Sequence, residues 1–270
     1  MTTSPDISPM TRVRLRKAAL DEGFGIDRGE TGGWMAFDSL NAPASLRLTS
    51  DSSGYVAATN HRGAAVDLAT RWPSWEGAVP AGFLAFAVLD TAPLHHLVRE
   101  MWRLARALPI EPLREFEAKT RAMPRSTEAE RLVVQRVGQD IFRTALMDYW
   151  GRACAVLGVT EPRLLRASHI RRWSECGSDA ERLDVYNGLL LAAHLDAAFD
   201  AFLISFDDDG RILISSALTE ADRAALSIHP DLRLSKIAAA HLPQLAWHRQ
   251  QMASQPTSTQ PQTAFVPKDA

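Results

Sequence analysis

Apolar positions recur at helical spacing near the start of the chain. Val13, Leu15, Ala18, Ala19 and Leu20 predict an amphipathic helix over Ser8–Glu22, and Gly23 suits its stop. Short apolar runs punctuated by Gly, Pro, Asn and Ser predict strands at Trp34–Leu40, Ser45–Thr49 and Tyr55–Thr59. Gly82–Leu89 reads as a buried strand. Thr91 is expected to cap the next helix, with Pro93 in its first turn and Leu94, Leu97, Val98, Met101, Leu104 and Leu108 along one face. Together these predict a small α+β domain. Pro109, Pro112 and Pro124 then mark a connector with a short helical piece, which places a domain boundary between Leu108 and Thr127. Thr127-Glu128-Ala129-Glu130 is a capping box that opens a helix to about Trp150, with Val134, Val137, Ile141, Ala145 and Tyr149 facing one way.

After Gly151 the pattern shortens. Strands are expected at Ala153–Gly158 and Leu164–Ile170, the second ending in Ser168-His169-Ile170. An irregular loop over Arg171–Tyr186 follows. Asn187-Gly188 turns into Leu189–Leu191, and Ala192–Phe202 looks helical. Leu203–Phe206 and Arg211–Ser215 flank Asp207-Asp208-Asp209-Gly210 as an Asp-Gly hairpin. That run lacks the downstream Glu of a calcium loop. Two short helices complete the fold. The organisation read from this pattern is a small α+β domain over 1–108, a linker over 109–126, a second domain over 127–250 and a polar, disordered tail over 251–270.

Composition narrows the class. Of 270 residues, 46% are apolar and 23% charged, which excludes a disordered, collagen-like or coiled-coil chain. No apolar run reaches the ~18 residues of a membrane span. Met1–Pro9 lacks the basic start and apolar core of a secretory signal. The two cysteines, Cys154 and Cys176, can supply neither a disulfide framework nor a four-Cys zinc site, so a reducing, cytoplasmic setting is expected. Cys154 reads as core and Cys176 as loop. A net charge of −2 provides no global positive field, so any nucleic-acid site must be local. The 30 cations are 26 Arg and 4 Lys. Arg is the better bidentate phosphate donor, but a high-GC genome gives the same bias and is the weightier reading.

The chemistry-bearing residues sit at element ends. His169 closes a strand, Asn187 stands eighteen residues later at a turn, and Asp196 lies nine residues further on a helix. Asp200 is at i+4 from Asp196 and shares its face. His194 is two residues from Asp196, about 200° around the helix, and joins the pair only where the helix begins at or after it. Arg163, Arg166, Arg171 and Arg172 cluster around His169. Taken singly, each of these residues has an ordinary structural reading: a core histidine, a turn, a solvated helix face. His95-His96 reads as a solvated helix edge, and Trp247-His248-Arg249 as a packing element.

Taken together, Cys154-Ala155-Val156, Leu164–Ile170, Trp173, Asn187–Leu191, His194-Leu195-Asp196, Phe199-Asp200 and Leu203–Phe206 resemble the HNH endonucleases. The likeness is to a bacterial subgroup with an SHI…NGLLL…D-x-x-FD pattern and covers about residues 142–249. It implies a ββα-metal nuclease domain C-terminal to the small α+β domain, within an α+β protein. It further implies that His169 is the general base on the attacking water and Asn187 the residue that orients it. Asp196 would be the main metal ligand, assisted by Asp200 and His194, and Arg163, Arg166, Arg171 and Arg172 would contact phosphates. Carboxylate ligands favour Mg²⁺ or Mn²⁺ over Zn²⁺. The implied substrate is double-stranded DNA, cut to 5′-phosphate and 3′-hydroxyl ends, in a setting such as restriction or anti-phage defence. Two copies would serve a double-strand cut.

The chain departs from the subgroup pattern at three places, and at Ser168 from the wider HNH proteins. Arg171-Arg172 stands for Lys-Pro, Ala201-Phe202 follows Asp200 in place of Arg-Gly, Leu157 replaces Thr, and Ser168 occupies a position that carries a metal-ligating Asp or His in wider HNH proteins. Two alternatives follow. One is a degenerate HNH module that binds DNA or regulates without cutting. The other is a protein whose N-terminal domain binds a protein or small ligand and dominates its role.

Overall fold

A computed structural model describes residues 7–255. It is an α+β structure that divides into two compact units, residues 7–152 with 176–187, and residues 153–175 with 188–255. Of the disordered tail expected over 251–270, Gln251–Ser254 instead belong to the last helix, and 256–270 lie outside the described residues. So does the start of the Met1–Pro9 reading, residues 1–6.

In the first unit, α1 (Pro9–Asp21) is capped by the Ser8 hydroxyl, which accepts from the Thr11 N–H. Gly23 ends it as expected. Its φ of +97° is open to glycine without strain, and any Cβ there would meet the Trp102 indole. A five-stranded antiparallel meander follows in the order β1 (Ile26–Thr31), β2 (Trp34–Asp38), β3 (Ser45–Asp51), β4 (Gly54–Thr59) and β5 (Leu84–Val88), with α2 (Arg62–Leu68) between the last two. α3 (Thr91–Ala107) packs with α1 on one face of the sheet, burying Phe37, Leu46, Leu48 and Phe86 beneath them. Trp34, Val56, Ala58 and Ala85 form the opposite face, under Trp75, Val79 and Phe83. The six residues expected on one face of α3 are all buried.

β1 and α2 have no counterpart in the sequence reading. β1 is a bulged edge strand on which Ile26 alone is shielded from solvent, so it shows no apolar alternation. α2 starts at His61, whose Nδ1 accepts from the Ala64 N–H, a role more often filled by Ser, Thr, Asp or Asn. Thr91 is the first helical residue rather than the cap; Asp90 occupies the cap without a side-chain bond.

The expected connector holds a full helix, α4 (Ile110–Thr120). Pro109 precedes its first turn and Pro112 lies within that turn, where a helix tolerates proline, so the prolines punctuate without breaking. α5 (Glu128–Tyr149) carries the capping box intact: Thr127 Oγ1 accepts from Glu130 N–H, and the Glu130 carboxylate accepts from Thr127 N–H. α4 and α5 pack on each other and on α3. The boundary expected between Leu108 and Thr127 therefore falls inside the first unit, and the division comes after Arg152. The returning segment 176–187 adds α6 (Asp179–Arg182) against α4 and a single turn, Val185–Asn187, against α5.

In the second unit, Ala153–Gly158 is a turn rather than a strand. The Cys154 N–H bonds to Val159 O, the Cys154 carbonyl accepts from Gly158, and the Cys154 sulfur accepts from Leu157. The Ala155 N–H then joins Leu190 O. β6 (Leu165–His169) and β7 (Gly188–Ala192) pair antiparallel, with His169 opposite Gly188. α7 (Ala193–Asp200) follows β7 directly and packs on both strands, which gives a ββα unit. The Asp-Gly hairpin is β8 (Ile204–Phe206) with β9 (Ile212–Ile214). α8 (Glu220–Ala225) and α9 (Leu242–Ser254) complete the unit, α9 lying on β8.

Candidate functional site

Alternation along β6 sends Ser168 and His169 to opposite faces. Ser168 is buried at 2% exposure, whereas His169 is half-buried at the strand end. The His169 ring meets Trp173 edge to face, at 5.6 Å and 90°. Trp173 belongs to the single turn Trp173–Glu175.

α7 presents Asp196 and Asp200 on one face. Burial raises the pKa of the Asp196 carboxyl, while the Ser168 hydroxyl and the Arg166 charge pull it back. Asp200 is raised as well, first by desolvation and then by the negative charge of Asp196, with Arg172 opposing. These are two carboxylates held close enough to repel. The neighbouring Ser168 hydroxyl makes no hydrogen bond of ordinary length. A hard divalent cation suits this set: it relieves the repulsion, takes carboxylate oxygens and leaves room for water and substrate oxygens. Asp196 and Asp200 are the residues that would hold it.

His194 falls at the second position of α7, because the helix begins at Ala193. It therefore lies about 200° around from Asp196, off the carboxylate face. Among the described residues, no three His, Cys, Asp or Glu side chains gather into a site that could hold a metal ion.

Asn187 belongs to the returning segment and is fully buried. Its Nδ2 donates to Glu181 O at 3.2 Å and to the Cys176 sulfur at 3.4 Å. Arg182 adds bonds to Cys176 O and the Asp179 carboxylate. The expected loop is thus cross-tied from inside, with Asn187 at its end and covalently joined to Gly188, the register partner of His169.

The four arginines divide. Arg163 is exposed and paired with Glu161 at 2.7 Å. Arg166 is exposed, donates to the Arg163 and Leu165 carbonyls and faces Asp196. Arg172 donates to Asp200 O at 2.9 Å and lies over the Phe202 ring, and Arg171 lies over Trp247. The sequence marked all four alike, since charge is legible there and engagement is not. It also treated Ser168 only as the place of a missing ligand; its hydroxyl beside Asp196 needed the strand register to be seen.

Trp247-His248-Arg249 is a packing element, as its pattern suggested. His248 is 1% exposed and stacks on Phe199 at 3.8 Å. Its Nε2–H donates to Phe199 O, which leaves Nδ1 to accept from the Ser205 hydroxyl. Burial holds its pKa down at about 4. The unfolded chain, with an ordinary histidine near 6.5, takes up a proton first as pH falls. The stabilisation is complete above pH ~6.5 and is lost progressively toward pH ~4, by up to about 3 kcal/mol. Thermal unfolding between pH 7 and 4 checks this: the melting temperature is expected to fall over that window, and the His248→Gln variant to show a shallower fall. Parallel curves would sink the assignment.

Among the described residues, no helix is long and apolar enough to cross a membrane. No curated protein matches the chain. Residues 154–207, which span the Cys154 turn, the ββα unit and the first strand of the hairpin, match the family model of the HNH endonucleases.

Proposed function

We propose that the second unit is the catalytic part of a metal-dependent endonuclease that hydrolyses DNA phosphodiester bonds. The observation that supports this most is the matched ββα segment, which sets an imidazole at a strand end and two mutually repelling carboxylates on the following helix. In this reading His169 takes the proton from the attacking water as general base. Asn187 holds the cross-tied loop that leads into Gly188 and so fixes the strand pairing of His169. Asp196 and Asp200 hold a Mg²⁺ or Mn²⁺ ion, and His194 stands outside that pair. The ion, when bound, stabilises the charge that builds on the scissile phosphate and the leaving oxygen. Arg163 and Arg166, both exposed, contact flanking phosphates. The products carry 5′-phosphate and 3′-hydroxyl ends. A cytoplasmic restriction or defence nuclease that pairs for double-strand cuts suits this chemistry.

A specific observation favours a second reading, a module that binds DNA without cutting. Arg171 and Arg172 are engaged within the fold, and the Arg that follows the second aspartate in relatives is Ala201 here. A supercoiled-plasmid assay with Mg²⁺, Mn²⁺ or EDTA separates the two. Metal-dependent nicking is expected from the nuclease. Salt-sensitive binding with no nicking in either metal would establish the binding module instead.

A further inference from the structure

The first unit contains a cavity of about 250 Å³, lined by Arg99, Arg103, Arg152 and Trp102 together with Asp21, Glu22 and Asp148. Two of the acidic groups around it are already matched. Glu22 takes two bonds from Arg99, at 2.7 and 2.8 Å, and one from His95. Asp21 is paired with Lys17 at 2.6 Å. That leaves Asp148, 4% exposed, as the counter-charge for three guanidinium groups. Arg106 approaches it at 3.5 Å while stacked on Trp102, Arg152 stands off at 3.9 Å, and Arg103 interacts with it only at longer range. Glu100, which also faces Arg103, is occupied by Arg71 and the Trp72 indole.

Arg103 is the unusual member. It makes no hydrogen bond or ion pair among the described residues, and burial disfavours its charge. A half-buried guanidinium carries five donors in a fixed fork, and here no acceptor among the described residues engages them, so they are open to a ligand that enters the cavity. The local balance is three positive charges against one negative. Arg106 does not line the cavity, so the unmatched groups within it are Arg103 and Arg152 against Asp148, which calls for a compact anion with several acceptor oxygens.

We propose that this pocket binds a phosphate monoester, with Arg103 as its principal ligand and Arg152 closing over it. A monoester carries about −1.5 to −2 charges at pH 7 and three strong acceptor oxygens, enough to engage Arg103 and Arg152 together. A mid-strand diester carries a single charge and has only two unesterified oxygens, so it offers fewer acceptors to the arginine pair. The phosphate could be that of a free nucleotide or the 5′ end of a DNA strand. The inference does not depend on the nuclease reading, because no residue of the second unit enters it.

Isothermal titration of the full chain at constant ionic strength tests it. The probes are inorganic phosphate, thymidine 5′-monophosphate, thymidine, and one oligonucleotide with a 5′-phosphate or a 5′-hydroxyl. Saturable binding of phosphate and of the monophosphate is expected, with none of thymidine. Arg103→Gln should weaken it at least tenfold, and Arg136→Gln, an exposed change on α5, should leave it unchanged. Should Arg103→Gln fail to fold, Arg152→Gln serves in its place, since that side chain is 59% exposed. A 5′-phosphate dependence of oligonucleotide binding assigns the site to DNA ends; tighter binding of the free monophosphate assigns it to a nucleotide. Absence of phosphate binding, equal binding of thymidine, or undiminished binding by the arginine variant overturns the proposal.

Discussion

His169→Ala is expected to lower metal-dependent DNA cleavage by about 10²–10⁴-fold, the range of a positioned general base. The variant should keep its fold. His169 sits half-buried at the end of β6 rather than in the core, and the strand bonds that hold it there are main-chain bonds that alanine preserves. The alanine also leaves space beside Trp173, so added imidazole should restore part of the rate, which a purely structural histidine would not allow. Initial nicking rates of both proteins, with and without imidazole, check this. Undiminished cutting by the variant would remove His169 from the mechanism and, with it, the main functional meaning of the strand-end position.

Asp196→Asn is expected to reduce divalent-cation affinity and cleavage by more than about 10²-fold, since even groups behind the ligands cost 10–100-fold when removed from metal sites. The physical reason lies in the pair. Asp196 and Asp200 repel each other in a partly desolvated setting, and a bound cation removes that repulsion. The asparagine therefore acts in opposite directions on two observables. It relieves the repulsion, so the metal-free variant should melt at or slightly above wild type. It also takes away a charge that the cation needs, so Mg²⁺ or Mn²⁺ should no longer raise the melting temperature. A variant that is destabilised without metal, yet still gains the full metal-dependent increment, would show that Asp196 is structural. Metal titrations followed by thermal unfolding supply this readout without any measurement of cutting.

Elements with a strong period were legible in the chain. α3 and α5 show it best, since their apolar faces and the Thr127 box follow from 3.6-residue spacing and hydrogen-bond reciprocity, which are local properties. The β6–β7–α7 order was legible for a different reason: its polar residues stand at element ends, where their spacing carries the signal. β1 was illegible because an edge strand needs main-chain partners more than apolar ones. Ala153–Gly158 misled in the other direction, because a turn tied by the Cys154 sulfur, with Cys154 and Ala155 buried, is as apolar in sequence as a strand. The site residues could be named singly, but not how they engage their surroundings. That Arg172 is bonded to the end of α7, or that His194 lies inside the helix, depends on where α7 begins, and the boundary of a short helix with no side-chain cap leaves no mark in composition.

The path of the chain has a consequence for synthesis on the ribosome. Residues 176–187 complete the first unit, yet they are made after β6 of the second. When residue 152 leaves the exit tunnel, α4 and α5 still lack α6 and the Val185–Asn187 turn that pack against them. At about 5–20 residues per second, the wait lasts a few seconds. During that interval β6 has no partner strand, and its neighbour β7 follows at once behind Asn187. The nascent protein thus passes through one late step in which the first unit is sealed and the ββα hairpin pairs nearly together. Slowing translation over codons 176–192 should prolong the exposure of both, and Asn187 is the residue at which the two events are joined.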